Sequence, residues 1–227
     1  MIFADRRDAG RMLAQKLVSL NGRDGVIVLA LPRGGVPVAL EIARAIQAPL
    51  DVLIVRKIGV PGHEELAMGA IAGGGTTVVN DEVVRMLNID KRTFDAVVKT
   101  ERIEAQRRER VYRAGRSTLD VRGKICLVVD DGIATGATME AAVSALRSLE
   151  PVEIVVAVPV CTPATAEQFT RLADRFVAVQ TPADLTAVGS WYERFPQLSD
   201  QEVQDMLNKP DDRTGPGWND AFRSLFR

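Results

Sequence analysis

The chain has 227 residues, 29 Lys and Arg against 30 Asp and Glu, and a net charge of −1. This length fits one domain, or one domain with an insertion. The composition, 46% hydrophobic and 26% charged, excludes a disordered or fibrous chain. The balanced charge also argues against a uniformly basic nucleic-acid binder, although a local basic patch stays open.

The N-terminus, MIFADRRDAGR, is charged within its first five residues and lacks the apolar stretch of a signal peptide. We therefore expect no signal peptide. The longest apolar runs have the length of strands, so we expect no membrane span. Cys126 and Cys161 lie far apart in apolar runs. This favours two buried, reduced thiols in a cytoplasmic protein over a disulfide or a metal site.

The first quarter of the chain alternates between helical and strand-like patterns. Asp5 is placed to begin a helix, and apolar residues recur behind it at helical spacing. Residues 26–31 form a continuous apolar run, which is typical of a strand covered on both faces, and residues 51–56, DVLIVR, are predicted to form a second buried strand. The segment between them, VPVALEIARAI, has the pattern of a helix.

Residues 57–122 depart from this alternation and are predicted to form an insertion, or hood. It opens with a loop, KIGVPGHEE, and continues as a hairpin made of LAMGAI and TTVV. Asp81 is expected to cap a short helix, and Asp90 a longer helix that ends near Gly115.

After the insertion, the strand and helix patterns resume with KICLVVD and alternate up to RFVAV. Helices between successive strands predict an α/β fold with a doubly wound, mainly parallel, five-stranded sheet. We expect one domain over residues 1–207, with a last helix from Asp200 to Leu207. Residues 208–227 are expected to form a mobile C-terminal tail.

The most informative segment is KICLVVDDGIATGATMEAA, residues 124–142. A buried strand ends in Asp130 and Asp131, and a turn of small residues, 134–138, leads into a helix. Small residues let backbone N–H groups approach a ligand, and a helix N-terminus favours an anion, so the turn suits a phosphate. Carboxylates accept hydrogen bonds from sugar hydroxyls or bind Mg²⁺, so the whole segment suits a ribose 5-phosphate.

The run VVDDGIATGAT resembles the signature of the type I phosphoribosyltransferases, which use 5-phosphoribosyl-1-pyrophosphate (PRPP) and Mg²⁺. The resemblance implies that Asp130 and Asp131 contact the ribose 2′- and 3′-hydroxyls as catalytic residues. It also implies that they hold the metal, directly or through those hydroxyls. The residues assigned to the 5′-phosphate are Ala134, Thr135, Gly136, Ala137 and Thr138.

A second site is predicted after the first strand, at LPRGG. Two glycines and an arginine before a helix suit an anion, although a turn that merely needs glycine has the same pattern. Beside the PRPP motif, the segment is similar to the family's pyrophosphate loop. This similarity assigns Arg33, Gly34 and Gly35 to substrate binding and implies a cis peptide bond between Pro32 and Arg33.

Arg56 and Lys57, at the end of the second strand, are candidates for binding pyrophosphate oxygens, Lys57 as a catalytic residue. The alternative is solvated charge at a strand end. In the resembled family a mobile loop after this strand closes over the reacting centre, and residues 59–65 match such a lid in place and composition. We expect His63, the chain's one histidine, to be a surface-loop residue rather than a proton carrier.

Two further segments have open interpretations. Trp191 or Tyr192 could stack on a flat acceptor beside Glu193, or these aromatics could seal the sheet edge. Residues 101–116 form an Arg-rich helix with six Arg and three Glu, and Glu104/Arg108 is spaced as an i,i+4 ion pair. We expect a solvated or subunit-facing helix rather than an RNA-binding one.

As a whole the chain is most similar to uncharacterised bacterial phosphoribosyltransferase-domain proteins, through ADRRDAG, LPRGGVPVA, VRKIGVPGHEELAMGAI and VGSWYERF. The resemblance implies an enzyme that joins ribose 5-phosphate from PRPP to a nitrogenous acceptor and releases pyrophosphate. The alternative is a non-catalytic, PRPP-sensing regulator on the same fold. The expected partners are PRPP, an acceptor that the sequence does not identify, and a second copy in a homodimer. Neither a membrane nor a nucleic acid is expected.

Overall fold

The computed structural model describes residues 1–72, 75–113 and 119–208, without the side chains of residues 64 and 65. The strands are β1 (Val26–Ala30), β2 (Leu50–Val52), β3 (Val55–Val60), β4 (His63–Ala72), β5 (Thr77–Val79), β6 (Ile125–Val129), β7 (Glu153–Val160) and β8 (Arg175–Gln180). The helices are α1 (Arg6–Gln15), α2 (Gly35–Ile46), α3 (Asp81–Met86), α4 (Lys91–Tyr112), α5 (Ala137–Arg147), α6 (Pro163–Leu172) and α7 (Asp200–Asn208).

The central sheet has five parallel strands in the order β2-β1-β6-β7-β8, which confirms the predicted α/β fold. Every residue of β1 and β6 is buried, because helices cover both faces of the sheet. The chain order steps from β1 outwards to β2 and then returns to β6 on the other side of β1. This reversal places the loops after β1 and β6 next to each other at the carboxyl ends of their strands, where open α/β sheets bind ligands.

Two hydrophobic cores cover the two faces of this sheet. Val28 and Val129 belong to the core beneath α1 and α2, whereas Leu29 and Val128 belong to the core beneath α5 and α6. Successive strand residues therefore point to opposite faces, as the two-residue period of a strand requires. The predicted continuous apolar runs thus supply side chains to both cores.

The second predicted strand, 51–56, is instead divided between two sheets. Its first half is β2, which pairs with β1, and its second half enters β3, which pairs with β4 in a separate antiparallel sheet of order β3-β4-β5. An apolar run shows that a segment is buried but not which strand it pairs with, so the division left no signal in the sequence. The predicted hairpin between LAMGAI and TTVV is confirmed as β4 and β5.

The predicted loop KIGVPGHEE is wrong, because its residues form the end of β3, a tight turn and the start of β4. Val60 is paired with His63, which leaves Pro61 and Gly62 as the two turn residues. Gly62 has φ = +79°, a conformation that favours glycine, and proline followed by glycine is a common pair in tight turns. The segment predicted as a lid is therefore a β-hairpin, and His63 is exposed at its tip.

The helix predictions differ from the structure mainly at the helix ends. Asp5 and Asp90 cap α1 and α4 as predicted, but Asn80 rather than Asp81 caps α3, because its side chain accepts the Val83 N–H. The last helix is present as α7. Asn208, predicted as the first residue of the tail, is instead the last residue of α7. The rest of the predicted tail, 209–227, and residues 114–118, where α4 was expected to end, lie outside the described residues.

Both cysteines are buried and unpaired, as predicted. Burial raises the pKa of Cys126 to about 12 and that of Cys161 to about 11. Among the described helices, none is long and apolar enough to cross a membrane.

Candidate active site

The loops after β1 and β6 pack together at the carboxyl edge of the central sheet. The ladder between the two strands continues one residue past β1, because the Leu31 N–H donates to the Val129 carbonyl at 2.9 Å. The segment 32–35 thereby reaches the acidic pair that follows β6. The peptide bond between Pro32 and Arg33 is cis, as the sequence resemblance implied.

The two glycines of this segment allow the close approach. A Cβ atom built on Gly34 would lie 2.0 Å from the Asp131 Oδ2 atom, and one on Gly35 would lie 2.5 Å from the Val129 carbonyl oxygen. Both distances are far below van der Waals contact. Glycine at these positions therefore follows from the packing of one loop on the other, in addition to any contact with a ligand.

The turn from residue 134 to residue 138 leaves the N-terminus of α5 open. Gly136 precedes the helix with φ = +83°, a conformation that favours glycine, and no side chain caps the helix. By contrast, side chains cap α4 and α6. Ala134, Thr135 and Thr138 are exposed. Backbone N–H groups of the first turn are thus available to an anion, and the helix dipole favours one there.

The acidic pair has two different environments. Asp130 accepts a hydrogen bond from the Asp131 backbone N–H at 2.8 Å and lines the open cleft described below. The Asp131 carboxylate instead turns towards α1, where its Oδ2 accepts a hydrogen bond from Arg6 Nε at 2.7 Å. The Tyr192 hydroxyl donates to the Asp131 backbone carbonyl and so ties the C-terminal segment to the same residue.

Arg6 is a residue of this site that the sequence analysis did not single out. Its side chain is only 9% exposed. Its Nη1 donates to the Pro196 carbonyl at 2.8 Å, and its guanidinium carbon lies 3.7 Å from the centre of the Phe195 ring. Arg6 lies within the ADRRDAG segment that carried part of the family resemblance. This resemblance was the one feature of the sequence that could have pointed to Arg6.

Burial and these partners determine the direction in which the pKa values of the two aspartates are shifted. Burial raises the pKa of Asp130 well above its ordinary value, and the charge of Asp131 raises it further. Burial also raises the pKa of Asp131, but the hydrogen bond and the charge of Arg6 lower it and oppose that effect. Arg6 thus favours the ionised form of Asp131, whereas Asp130 retains a tendency to bind a proton or a cation.

A cleft of about 640 Å³ opens beside Asp130. Its charged and polar lining residues come from four segments, and they are Arg56, Lys57, Glu101, Arg108, Asp130 and Thr138. The rest of its lining is mostly aliphatic, with Leu31, Pro32, Leu53, Ile54, Val55, Gly59, Pro61 and Val97. The cleft therefore joins the phosphate turn and Asp130 to the predicted cations of β3 and to helix α4 of the insertion.

The predicted cationic residues lie in different places. Arg56 and Lys57 line the cleft, and Arg56 Nε donates to Glu101 Oε2 at 2.7 Å. Arg33 points its side chain towards α7, where its Nη1 lies 3.6 Å from Asp200 Oδ1. Its backbone stays beside the acidic pair, so the LPRGG loop presents main-chain atoms to the site.

The aromatic residues predicted as an acceptor platform lie in a separate hydrophobic cluster. Tyr192 is buried, and its ring centre lies 5.3 Å from that of Phe3 and 4.9 Å from that of Phe195. Trp191 is partly buried against the same cluster. Neither is among the described residues that line the cleft. This placement favours the alternative interpretation, in which the aromatics seal the sheet edge.

The carboxylates of the site suit Mg²⁺ only if substrate oxygens supply the other metal ligands. Within the described part of the chain, no group of three or more His, Cys, Asp or Glu side chains converges on a point that could hold a metal. Mg²⁺ commonly binds through one or two carboxylates together with substrate phosphates, and Asp130 beside the phosphate turn provides that arrangement.

Comparison with known proteins gives consistent results. A family model described as "Phosphoribosyl transferase domain" matches residues 4–185. A Mycobacterium tuberculosis protein named "Putative phosphoribosyl transferase" is 49% identical over 208 residues, which are 92% of this chain and 47% of that protein. The chain thus spans about half the length of the curated relatives it matches. The crystal structure of TT1426 from Thermus thermophilus is 40% identical, covers 91% of this chain and 98% of its own, and superimposes with a TM-score of 0.84.

Proposed function

The chain belongs to the phosphoribosyl transferase domain family, and we propose that it transfers ribose 5-phosphate from PRPP to a nitrogenous acceptor and releases pyrophosphate. One observation carries the proposal. The uncapped N-terminus of α5, the Asp130 carboxylate and the cations of β3 lie around a single cleft. These are the groups that a 5-phosphate, ribose hydroxyls and a diphosphate need, in the order in which PRPP carries them.

The proposed roles follow from this placement. Backbone N–H groups of residues 135–138 hold the 5′-phosphate, and Asp130 accepts hydrogen bonds from the ribose hydroxyls. Arg56 and Lys57 stabilise the negative charge that develops on pyrophosphate as its bond to ribose C1 breaks and the acceptor nitrogen bonds to C1. Asp131, held by Arg6, fixes the position of the LPRGG loop relative to the acidic pair. Catalysis therefore consists mainly of positioning and charge stabilisation.

Mg²⁺ fits this scheme as a cofactor that Asp130 would hold together with ligand oxygens. It would supply positive charge that weakens the bond between ribose and pyrophosphate. The raised pKa of Asp130 makes its carboxylate a group whose charge a bound cation would stabilise. The homodimer that the resemblance implied and the cytoplasmic location inferred from the cysteines stay predictions.

Isothermal titration with PRPP, with and without Mg²⁺, tests the proposal. The wild-type protein is expected to bind PRPP with micromolar affinity. Asp130→Asn should weaken binding at least about tenfold, because it removes a charge-assisted acceptor of the ribose hydroxyls. Asp95→Asn is the matched control, since Asp95 is exposed on α4 and pairs only with Lys91 among the described residues.

Turnover is measured next, as pyrophosphate release with a panel of nitrogenous bases and amines. Release with one acceptor, lost in Asp130→Asn and retained in Asp95→Asn, is the expected result. PRPP binding without release for any acceptor would favour the PRPP-sensing regulator instead. Absence of PRPP binding at any Mg²⁺ concentration would refute both forms of the proposal.

A further inference from the structure

The Arg-rich helix α4 has a face that belongs to the cleft. Val97, Glu101 and Arg108 all line it, and their spacing of four and seven residues places them on one side of an α-helix. The neighbouring Arg107 points to another side, where its Nη1 lies 3.3 Å from Asp200 Oδ2 on α7. Two adjacent arginines of the same helix are therefore divided between the cleft and the protein surface.

Arg108 and Arg107 share one carboxylate. Arg108 Nε donates to Glu104 Oε1 at 2.8 Å, while Arg107 donates to both Glu104 oxygens, at 2.8 and 3.1 Å. The two guanidinium groups lower the pKa of Glu104 to about 2, so this carboxylate is ionised at all working pH values. One negative charge thus faces two positive ones.

Positive charge is still in excess when the neighbours of Arg107 on other segments are counted. Asp200 adds a second negative charge, but it also faces Arg33, at 3.6 Å. Elsewhere in the cleft, Glu101 is paired with Arg56. Three arginines therefore face two carboxylates, and of these three only Arg108 is among the described residues that line the cleft.

The geometry of Arg108 leaves its donors available. Among the described residues, its only hydrogen bond is the one from Nε, and its side chain is 30% exposed. The fork of a guanidinium matches two phosphate oxygens, and this arrangement gives shorter and stronger bonds than neutral donors do. Arg108 is held by its Nε, and its two terminal nitrogens make no hydrogen bond to the described residues at the wall of the cleft. It is therefore suited to bind a phosphate group.

We propose that Arg108 is a substrate-binding residue that contacts the diphosphate end of PRPP and the released pyrophosphate. The inference rests on the proposed function and extends it to a residue of the insertion. It assigns a role to the Arg-rich helix, whose cleft-facing side supplies a cation and whose other side packs on α7.

The test compares Arg108→Gln with Arg107→Gln, since the two residues share Glu104 but only the first lines the cleft. Isothermal titration uses three probes in Mg²⁺ buffer: PRPP, sodium pyrophosphate and ribose 5-phosphate. Loss of a charge-assisted bidentate contact should raise the Kd for PRPP and for pyrophosphate about tenfold in Arg108→Gln. Ribose 5-phosphate, which lacks the diphosphate, should bind as in the wild type, and Arg107→Gln should change each Kd less than about twofold.

Several results would overturn the inference. Equal effects of the two variants on pyrophosphate binding would show only a general loss of positive charge, and so would an equal loss of ribose 5-phosphate affinity in Arg108→Gln. A third variant, Arg108→Lys, keeps the charge without the fork and should lie between Gln and the wild type. Wild-type protein that binds PRPP, with Arg108→Gln binding it equally well, would refute this inference alone. Wild-type protein that binds neither PRPP nor pyrophosphate would refute the proposed function as well.

Discussion

Replacing Arg6 by glutamine should destabilise the protein in a pH-dependent way. Gln removes the charge that faces Asp131 and the contacts with Pro196 and the Phe195 ring. Removing one partner of a buried ion pair costs about 3–5 kcal/mol. Because the Asp131 side chain is still 15% exposed, we expect a value at the lower end, about 3 kcal/mol at pH 8.

The sign of the pH dependence follows from the pKa shifts. Arg6 lowers the folded-state pKa of Asp131 against the effect of burial, so Arg6→Gln raises that pKa further above its unfolded value. A carboxyl whose folded pKa is raised costs stability when it is ionised, and the cost disappears as pH falls and it binds a proton. The difference in unfolding free energy between wild type and variant should therefore shrink from about 3 kcal/mol at pH 8 towards about 1 kcal/mol near pH 5, where lost packing remains.

Urea denaturation in metal-free buffer between pH 5 and pH 8 measures this difference. The Arg6 charge also lowers the pKa of Asp130, so Arg6→Gln raises that pKa too and adds to the pH-dependent difference in the same direction. Arg7→Gln is the control, because Arg7 is 44% exposed and faces Glu41 on α2. In an Arg6→Gln/Asp131→Asn double variant the pH-dependent part should shrink to the contribution of Asp130. A penalty of Arg6→Gln that is constant across this pH range would refute the electrostatic reasoning and leave only packing.

Three further outcomes are expected. Gly34→Ala should abolish PRPP binding that calorimetry can detect, because the added methyl group would overlap the Asp131 carboxylate. The control is Gly123→Ala, whose methyl group meets open space. It should lower the unfolding free energy, because Gly123 has a positive φ, without changing the affinity for PRPP. Tyr192→Phe should lower the unfolding free energy by about 1 kcal/mol through its lost hydrogen bond, and a large change in acceptor KM would contradict its placement in the aromatic cluster. Both cysteines should resist a thiol reagent at pH 8 until the protein is denatured, and rapid labelling of the native protein would disprove their burial.

The central sheet could be predicted from the sequence because its signals are local. Each buried strand is a continuous apolar run, and the turn after β6 contains its own glycine and threonines. The division of residues 51–56 between two sheets could not be predicted, since the apolar residues 52–55 run continuously across it and only the strands that the two halves pair with differ. The hairpin turn had a local signal in the Pro61-Gly62 pair, which is common in tight turns, but the whole segment was expected to be a loop.

The contacts that complete the site are long-range, and this is why the sequence did not reveal them. Arg6 and Asp131 are 125 positions apart, and their pairing depends on how α1 crosses the sheet. The cleft-facing side of α4 had a visible pattern of charges, but a solvated helix has the same pattern. Only the packing of α4 against β3 distinguishes Arg108 from the other arginines of the helix.

The alternation of a β-strand explains why the motif needs two adjacent acidic residues. Val128 points to the core beneath α5, and Val129 to the core beneath α1 and α2. The same alternation continues past the end of β6, so that Asp130 shares the cleft with Thr138 of α5 and Asp131 meets Arg6 of α1. One carboxylate is thereby free to serve a ligand while its neighbour anchors the loops that shape the cleft. A single acidic residue at this strand end could do only one of the two.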